Sequence, residues 1–157
     1  GGSVGIENAS GAFLNLTTNT DQGIMWRAVL EAIGYDYIYV ADMYRAAGCN
    51  LDKIIVTEGG SKSSLWNQIK ADMLGSEVVT LQNVEGAVLS NAILAAYAVG
   101  DIDDLKKALL DVVKVKRVYT PNEENTKFYR RMFGIQQQII RNDMKSVFTQ
   151  LERMRNL

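Results

Sequence analysis

Seven consecutive residues combine small size, hydroxyl groups and one cation at a spacing that suits anion binding: Glu58-Gly59-Gly60-Ser61-Lys62-Ser63-Ser64. They follow a β-branched run, Ile54 to Thr57, and precede a helical pattern from about Ser64 to Leu74. A strand that delivers its C-terminal end to a helix N-terminus is where open α/β sheets receive ligands. The helix start offers unpaired N–H groups and a partial positive charge, both suited to phosphate. Glycines lacking Cβ let a flat or bulky ligand approach the backbone, and Ser63 or Ser64 can cap the helix. The stretch is not a Walker A loop, because Ser64 stands where GxxxxGK[ST] needs its second glycine, and it is not GxGxxG. On spacing alone, a plain structural turn accounts for it as well as a ligand-facing one.

Other chemistry is narrowed by composition. Histidine is absent, which removes serine and cysteine mechanisms with a histidine base and most zinc sites. The single cysteine, Cys49, excludes an internal disulfide framework and suits a reduced, cytoplasmic setting. With 17 basic and 18 acidic residues interspersed, the chain lacks the footprint of a nucleic-acid binder or a polybasic membrane patch. Its apolar runs are too short to span a bilayer. Asp101-Ile102-Asp103-Asp104 is the one acidic cluster, but it lacks a calcium-loop pattern, and a helix cap explains it. No metal ligand is assigned. In Glu85 to Ala96, Gly86, Ala87 and Ser90 make one helical face nearly flat, which suits close packing or sliding against another backbone. Arg27 and Glu31 read as a helix-surface pair, Tyr35, Tyr37, Tyr39 and Tyr44 as core and rim, and Lys127, Arg130 and Arg131 as a solvated face.

The elements that position these residues read as helix-rich α/β. An irregular lead-in over residues 1–22, with one short extended piece at Ala12 to Thr17, precedes a helix from Gly23 to about Ala47. Ile54 to Thr57 reads as a buried strand. The next helix, Ser64 to Leu74, places Leu65, Ile69 and Met73 on one face with Trp66 beside them, and Gly75 closes it. Glu77 to Leu81 is a second strand. Helices follow at Gly86–Val99 and at Ile102–Val113, the latter capped by Asp101. Lys114 to Thr120 is extended or looped, and one long helix from Glu123 to Asn156 bends at Gly134. Two strands are too few for an independent sheet, so the pattern implies partner strands elsewhere. At 157 residues the length fits one domain.

In order along the chain, these segments resemble the C-terminal part of the FGGY carbohydrate kinases, the family of xylulose, gluconate and glycerol kinases. Gly11 to Thr17 resembles RGAFxGLT, and Arg27 to Ile33 resembles RAVLEGI. Ile55 to Trp66 resembles the GGGAKSxLW adenosine-binding element of actin-like ATPases, and Ala71 to Gly75 matches the following ADxLG. Glu85 to Ala96 resembles EGAALGAAILAA, and Tyr119-Thr120-Pro121-Asn122 resembles the YxPN ending of xylulose-kinase-like members.

The resemblance implies a partial actin-like ATPase (ribonuclease H-like) fold, with residues 1–157 as one C-terminal portion of the ATP-binding domain. It implies transfer of the γ-phosphoryl group of ATP, with Mg2+, to a sugar hydroxyl. Gly59, Gly60, Ser61 and Ser64 fall at its nucleotide-contacting positions. Family members are several times longer, so the sugar-binding domain, the first phosphate loop and the catalytic aspartate would lie upstream. No catalytic residue is therefore assigned here, and the chain alone is expected to be inactive. Glu58 stands where the family has its first glycine, Asn15 where GLT has glycine, and Ser90-Asn91 where the connecting helix has Gly-Ala. The rival expectation is a non-catalytic α/β interaction or oligomerisation module, with a homodimer through an open sheet edge compatible with either. A non-sugar actin-like ATPase fits the RAVLE and YTPN segments less well.

Overall fold

The computed structural model describes residues 9–57, 59–82 and 86–155, so the expectations for Glu58 and Glu85 lie outside the described residues. Packing divides the chain into two compact units, one of residues 50–122 and one of residues 1–49 with 123–157.

The first unit is a strand-helix-strand motif with additions: β1 (Lys53–Val56), α2 (Ser64–Leu74), β2 (Glu77–Leu81), α3 (Gly86–Ala98), α4 (Leu105–Val112) and β3 (Val115–Tyr119). The sheet order is β1-β2-β3, with β1 parallel to β2 and β3 antiparallel to it. The sequence reading counts two strands and leaves Lys114 to Thr120 extended or looped, and among the described residues there are three strands. Val115–Tyr119 hides its strand character because four of its five residues are exposed, leaving no apolar alternation to read. β2 is central and buried, with Val78, Val79 and Thr80 nearly inaccessible. β1 corrects the expected buried strand: Ile55 is 53% exposed, because among the described residues β1 pairs on one side only.

The helix α2 lies on this sheet, and Ala71, Val78 and Tyr119 form a buried cluster with Val56 against it. Its buried side carries Trp66, Ile69 and Met73, whereas Leu65 is 51% exposed, so the apolar face is rotated by one residue from the expected one. Gly75 ends α2 in the left-handed region at φ 61°, as a C-terminal glycine should. The cap of α4 is Asp104, not Asp101: Asp104 Oδ1 accepts from the Lys107 N–H at 2.9 Å. Three aspartates fall within these four residues, and only Asp104 directly precedes the helix, where its side chain reaches the N–H of the third helical residue.

In the second unit, α1 (Gln22–Ala46) and α5 (Glu123–Gln138) pack through polar and aromatic side chains. The buried Tyr129 hydroxyl donates to Glu31 at 2.8 Å and accepts from Arg27 at 3.1 Å, while Arg27 and Glu31 pair at 2.8 Å. The Arg27–Glu31 pair is therefore one side of a three-residue network rather than a free surface pair. Arg130 reaches both carboxylate oxygens of Asp42, at 2.8 and 2.7 Å, which removes it from the solvated face expected of it. Tyr35 stacks on Phe133, and Arg141 lies over the Tyr39 ring.

The helix does not break at Gly134, which sits within α5. The irregularity is a π turn over Ile139–Asp143, closed by Met144 N–H to Ile139 O at 2.9 Å, before α6 (Lys145–Arg155). No strand forms at Ala12 to Thr17. Asn15 there adopts φ 59°, a left-handed backbone that asparagine tolerates better than most residues, which suits a position where the resembled GLT segment has glycine.

Two glycines make opposite predictions. Gly134 is helical, and a Cβ there would meet nothing within 4 Å, so Gly134→Ala should raise stability by roughly 0.5–1 kcal/mol. Gly75→Ala should lower it by about 1 kcal/mol through left-handed strain. Urea midpoints of the two variants should move in opposite directions, and shifts of the same sign would contradict the assignment.

Candidate functional site

The end of β1 leads into a single 3-10 turn, Gly59–Ser61, closed by the Lys62 N–H on Gly59 O at 3.2 Å. Ser63 is extended and caps α2, with its Oγ accepting from the Trp66 N–H at 3.2 Å and its carbonyl from Asn67 N at 3.0 Å. Ser63 is thus the cap, and Ser64 is the first helical residue. The Ser64 hydroxyl accepts from the Tyr119 phenol at 3.3 Å, which joins the helix start to the end of β3. Arg117 lies over the same Tyr119 ring at 4.8 Å. The first turn of α2 carries no acidic residue, so its positive end is not neutralised from within the helix.

All four sequence-predicted contacts, Gly59, Gly60, Ser61 and Ser64, come together at this junction. Gly59, Gly60 and Ser64 are exposed, and Ser61 is buried. Neither glycine has a positive φ. A Cβ built on Gly59 meets no described atom within 4 Å, and one on Gly60 comes only within ordinary contact of Lys70 Nζ at 3.8 Å and Trp66 Nε1 at 3.9 Å. Neither backbone conformation nor crowding inside this unit therefore requires glycine at 59 or 60. The open space against Gly59 is what a ligand resting on the backbone would occupy.

Sequence reasoning missed the residues that support this turn. Asn67, fully buried, donates from Nδ2 to Ser61 O at 2.7 Å. Lys70, 5% exposed, donates from Nζ to Gly60 O at 3.2 Å and to Asn67 Oδ1 at 3.3 Å, and sits 4.9 Å over the Trp66 ring. At the other end of α2, the buried Asp72 carboxylate accepts from Gln68 Nε2 at 2.8 Å and from the Asn122 N–H at 2.9 Å. Gln68 also donates to Thr120 O at 2.9 Å, so the ADMLG and YTPN segments are structural partners. The available signal was the three- and four-residue spacing of Lys70 from Trp66, Met73 and Leu74, with Asn67 three residues before Lys70.

Burial draws the Lys70 ammonium down to about 8 from its ordinary 10.5, because its charged form loses water. Cation–π contact and two carbonyl acceptors offset this in part.

The junction and sheet define a helix-rich α/β fold of the actin-like ATPase kind. Solved structures agree: a ligand-bound xylulose kinase from Lactobacillus acidophilus superposes with a TM-score of 0.75 at 26% identity, over 92% of this chain and 29% of that one. Gluconate kinase from the same organism superposes with a TM-score of 0.74 at 26% identity, over the same shares.

Residues 5–99 match the pattern of the FGGY family of carbohydrate kinases, C-terminal domain, and the chain belongs to that family. Among curated relatives, xylulose kinase of Staphylococcus epidermidis is 30% identical over 129 residues, covering 82% of this chain and 26% of the relative. Gluconokinase of Bacillus subtilis is 32% identical over 126 residues, covering 80% and 24%. The chain spans about a quarter of the length of the curated relatives it matches.

The Lys70 shift has a defined sign. Between about pH 8 and pH 10.5 the unfolded chain still holds this proton while the folded chain has released it. Stability contributed by this group therefore rises with pH across that window. The difference in urea midpoint between wild type and Lys70→Met should shift in favour of wild type from pH 8 to pH 10, and a flat or opposite difference would contradict the burial of the ammonium.

Proposed function

We propose that this chain is the nucleotide-facing C-terminal portion of the ATP-binding domain of a carbohydrate kinase, with Gly59, Gly60, Ser61 and Ser64 lying against bound ATP. The observation that supports this reading best is a pair of glycines that neither φ nor packing within the unit demands, placed at a strand-to-helix junction. The open face of Gly59 admits the nucleotide to the backbone. The start of α2, free of acid in its first turn, favours an anion such as phosphate. Ser63 holds the first turn in shape, and Tyr119 holds Ser64.

Bound ATP supplies the γ-phosphoryl group that passes to a sugar hydroxyl, with xylulose-type and gluconate-type sugars the substrate classes that the named relatives favour. Such transfer works by positioning and by neutralising charge. This chain contributes positioning. Among the described residues no three His, Cys, Asp or Glu side chains cluster as metal ligands, so no residue here is assigned to Mg2+. No base for the sugar hydroxyl is assigned here either, and by itself the chain transfers no phosphate. The sugar would be bound by the N-terminal domain of a longer kinase, in the cytoplasm. Among the described residues no helix is long and apolar enough to cross a membrane.

A second reading, a non-catalytic association module, is favoured by α1, where Trp26, Met43 and Tyr44 are each more than half exposed. Homodimerisation is compatible with both readings, and light scattering over a wide concentration range tests it.

For the nucleotide reading, amide spectra of the 15N-labelled chain should shift at Gly59, Gly60, Ser61 and Ser64 on addition of millimolar Mg-ATP. The same sample should show no sugar-dependent ATP turnover. Shifts confined to other residues, or turnover by the chain alone, would contradict this assignment.

A further inference from the structure

The turn Gly59–Ser61 has little rigidity of its own. It contains two glycines, the residue type that loses the most conformational freedom on folding, and it is a single 3-10 turn. Yet two successive carbonyls in it, those of Gly60 and Ser61, are each held by a buried side chain from α2. Asn67 holds Ser61 O at 2.7 Å, Lys70 holds Gly60 O at 3.2 Å, and Lys70 Nζ closes the pair by donating to Asn67 Oδ1 at 3.3 Å.

Burying an amide and an amine is costly unless both are satisfied, and here both are satisfied on the turn. An apolar pair would seat α2 on the sheet equally well. The polar pair adds a fixed position for two successive carbonyls, one of them on Gly60, which has no side chain for packing to grip.

We infer that Asn67 and Lys70 are positioning residues that latch the Gly59–Ser61 turn onto α2 and so preorganise the backbone surface on which the nucleotide rests. The inference rests on the nucleotide reading above. The latch acts through the turn: Asn67 is fully buried and Lys70 nearly so, behind the carbonyls they hold. Holding a loop in its bound geometry strengthens binding by removing an ordering cost. Lys70 adds a second effect. Its ammonium, with Trp66 Nε1, would stand at ordinary contact distance from a Gly60 Cβ, so that inner side of the turn is lined by α2. The open side of the pair is then at Gly59.

Two substitutions separate the limbs of the latch. Lys70→Met keeps a similar stem and removes the donor to Gly60 O. Asn67→Asp keeps the shape, leaves Lys70 an acceptor and removes the donor to Ser61 O. The experiment measures heteronuclear NOEs for the amides of Gly59 to Lys62 in the wild-type chain and both variants, followed by Mg-ATP titration of each by chemical shift. Lower NOEs at these amides in both variants are expected, with Mg-ATP bound about fivefold more weakly by Asn67→Asp, as for loss of one neutral hydrogen bond, and at least about tenfold more weakly by Lys70→Met, whose lost donor is a charged ammonium. The NOEs of α2 itself should stay as in wild type, which separates positioning from general loosening of the fold. Unchanged NOEs at the turn would overturn the latch while leaving the nucleotide reading standing. A wild-type spectrum silent to Mg-ATP would overturn the nucleotide reading, and with it the purpose assigned to the latch, even if the turn loosened as described.

Discussion

The seating of α2 on the sheet is the constraint on which the first unit depends, and it is made by polar side chains interleaved with apolar ones. Trp66, Ile69 and Met73 are buried, as area removed from water would favour. Asp72 and Gln68 fasten the segment that follows β3. Asn67 and Lys70 fasten the turn that follows β1. One helix thereby sets the position of the backbone on either side of β2. A buried polar group left unpaired costs more than a satisfied one gains, so these four side chains fix geometry more than they add stability.

The second unit uses the same device in a different form. Tyr129 is buried between α1 and α5 and closes a three-way network with Glu31 and Arg27, while Arg130 grips Asp42 in two places. Paired charges across two helices specify which residues face each other, which a purely apolar seam would leave open to slippage. The π turn at Ile139–Asp143 then separates α5 from α6 without a proline or glycine to mark it.

How much of this could be read from residues follows the strength of each local signal. β1, α2 and β2 were legible to within one residue because β-branched runs and terminal glycines bound them. The junction at 59–64 was legible for the same reason, together with its order among other family-like segments. β3 was legible only as an extended or looped stretch, since an exposed edge strand carries no apolar alternation. Glycine is the commonest visible helix breaker, so the sequence points to a bend at Gly134, whereas the π turn falls at Ile139–Asp143, where neither glycine nor proline marks it. Lys70 and Asn67 escaped notice because polar residues on a helix are usually solvated. Only the three-dimensional position of the turn shows that they face inward. The nucleotide role proposed for the junction has two supports: the family resemblance of its residues, and glycines that neither backbone conformation nor packing requires.

Gly59 is where the nucleotide reading is tested most directly. An alanine there meets open space and a negative φ, so the fold should accept it with stability unchanged to within about 0.5 kcal/mol. If the space is reserved for the nucleotide, the same Gly59→Ala chain should lose its amide response to millimolar Mg-ATP. Retained response with intact stability would mean that nothing rests on Gly59, and a large fall in stability would mean that the glycine serves the fold after all.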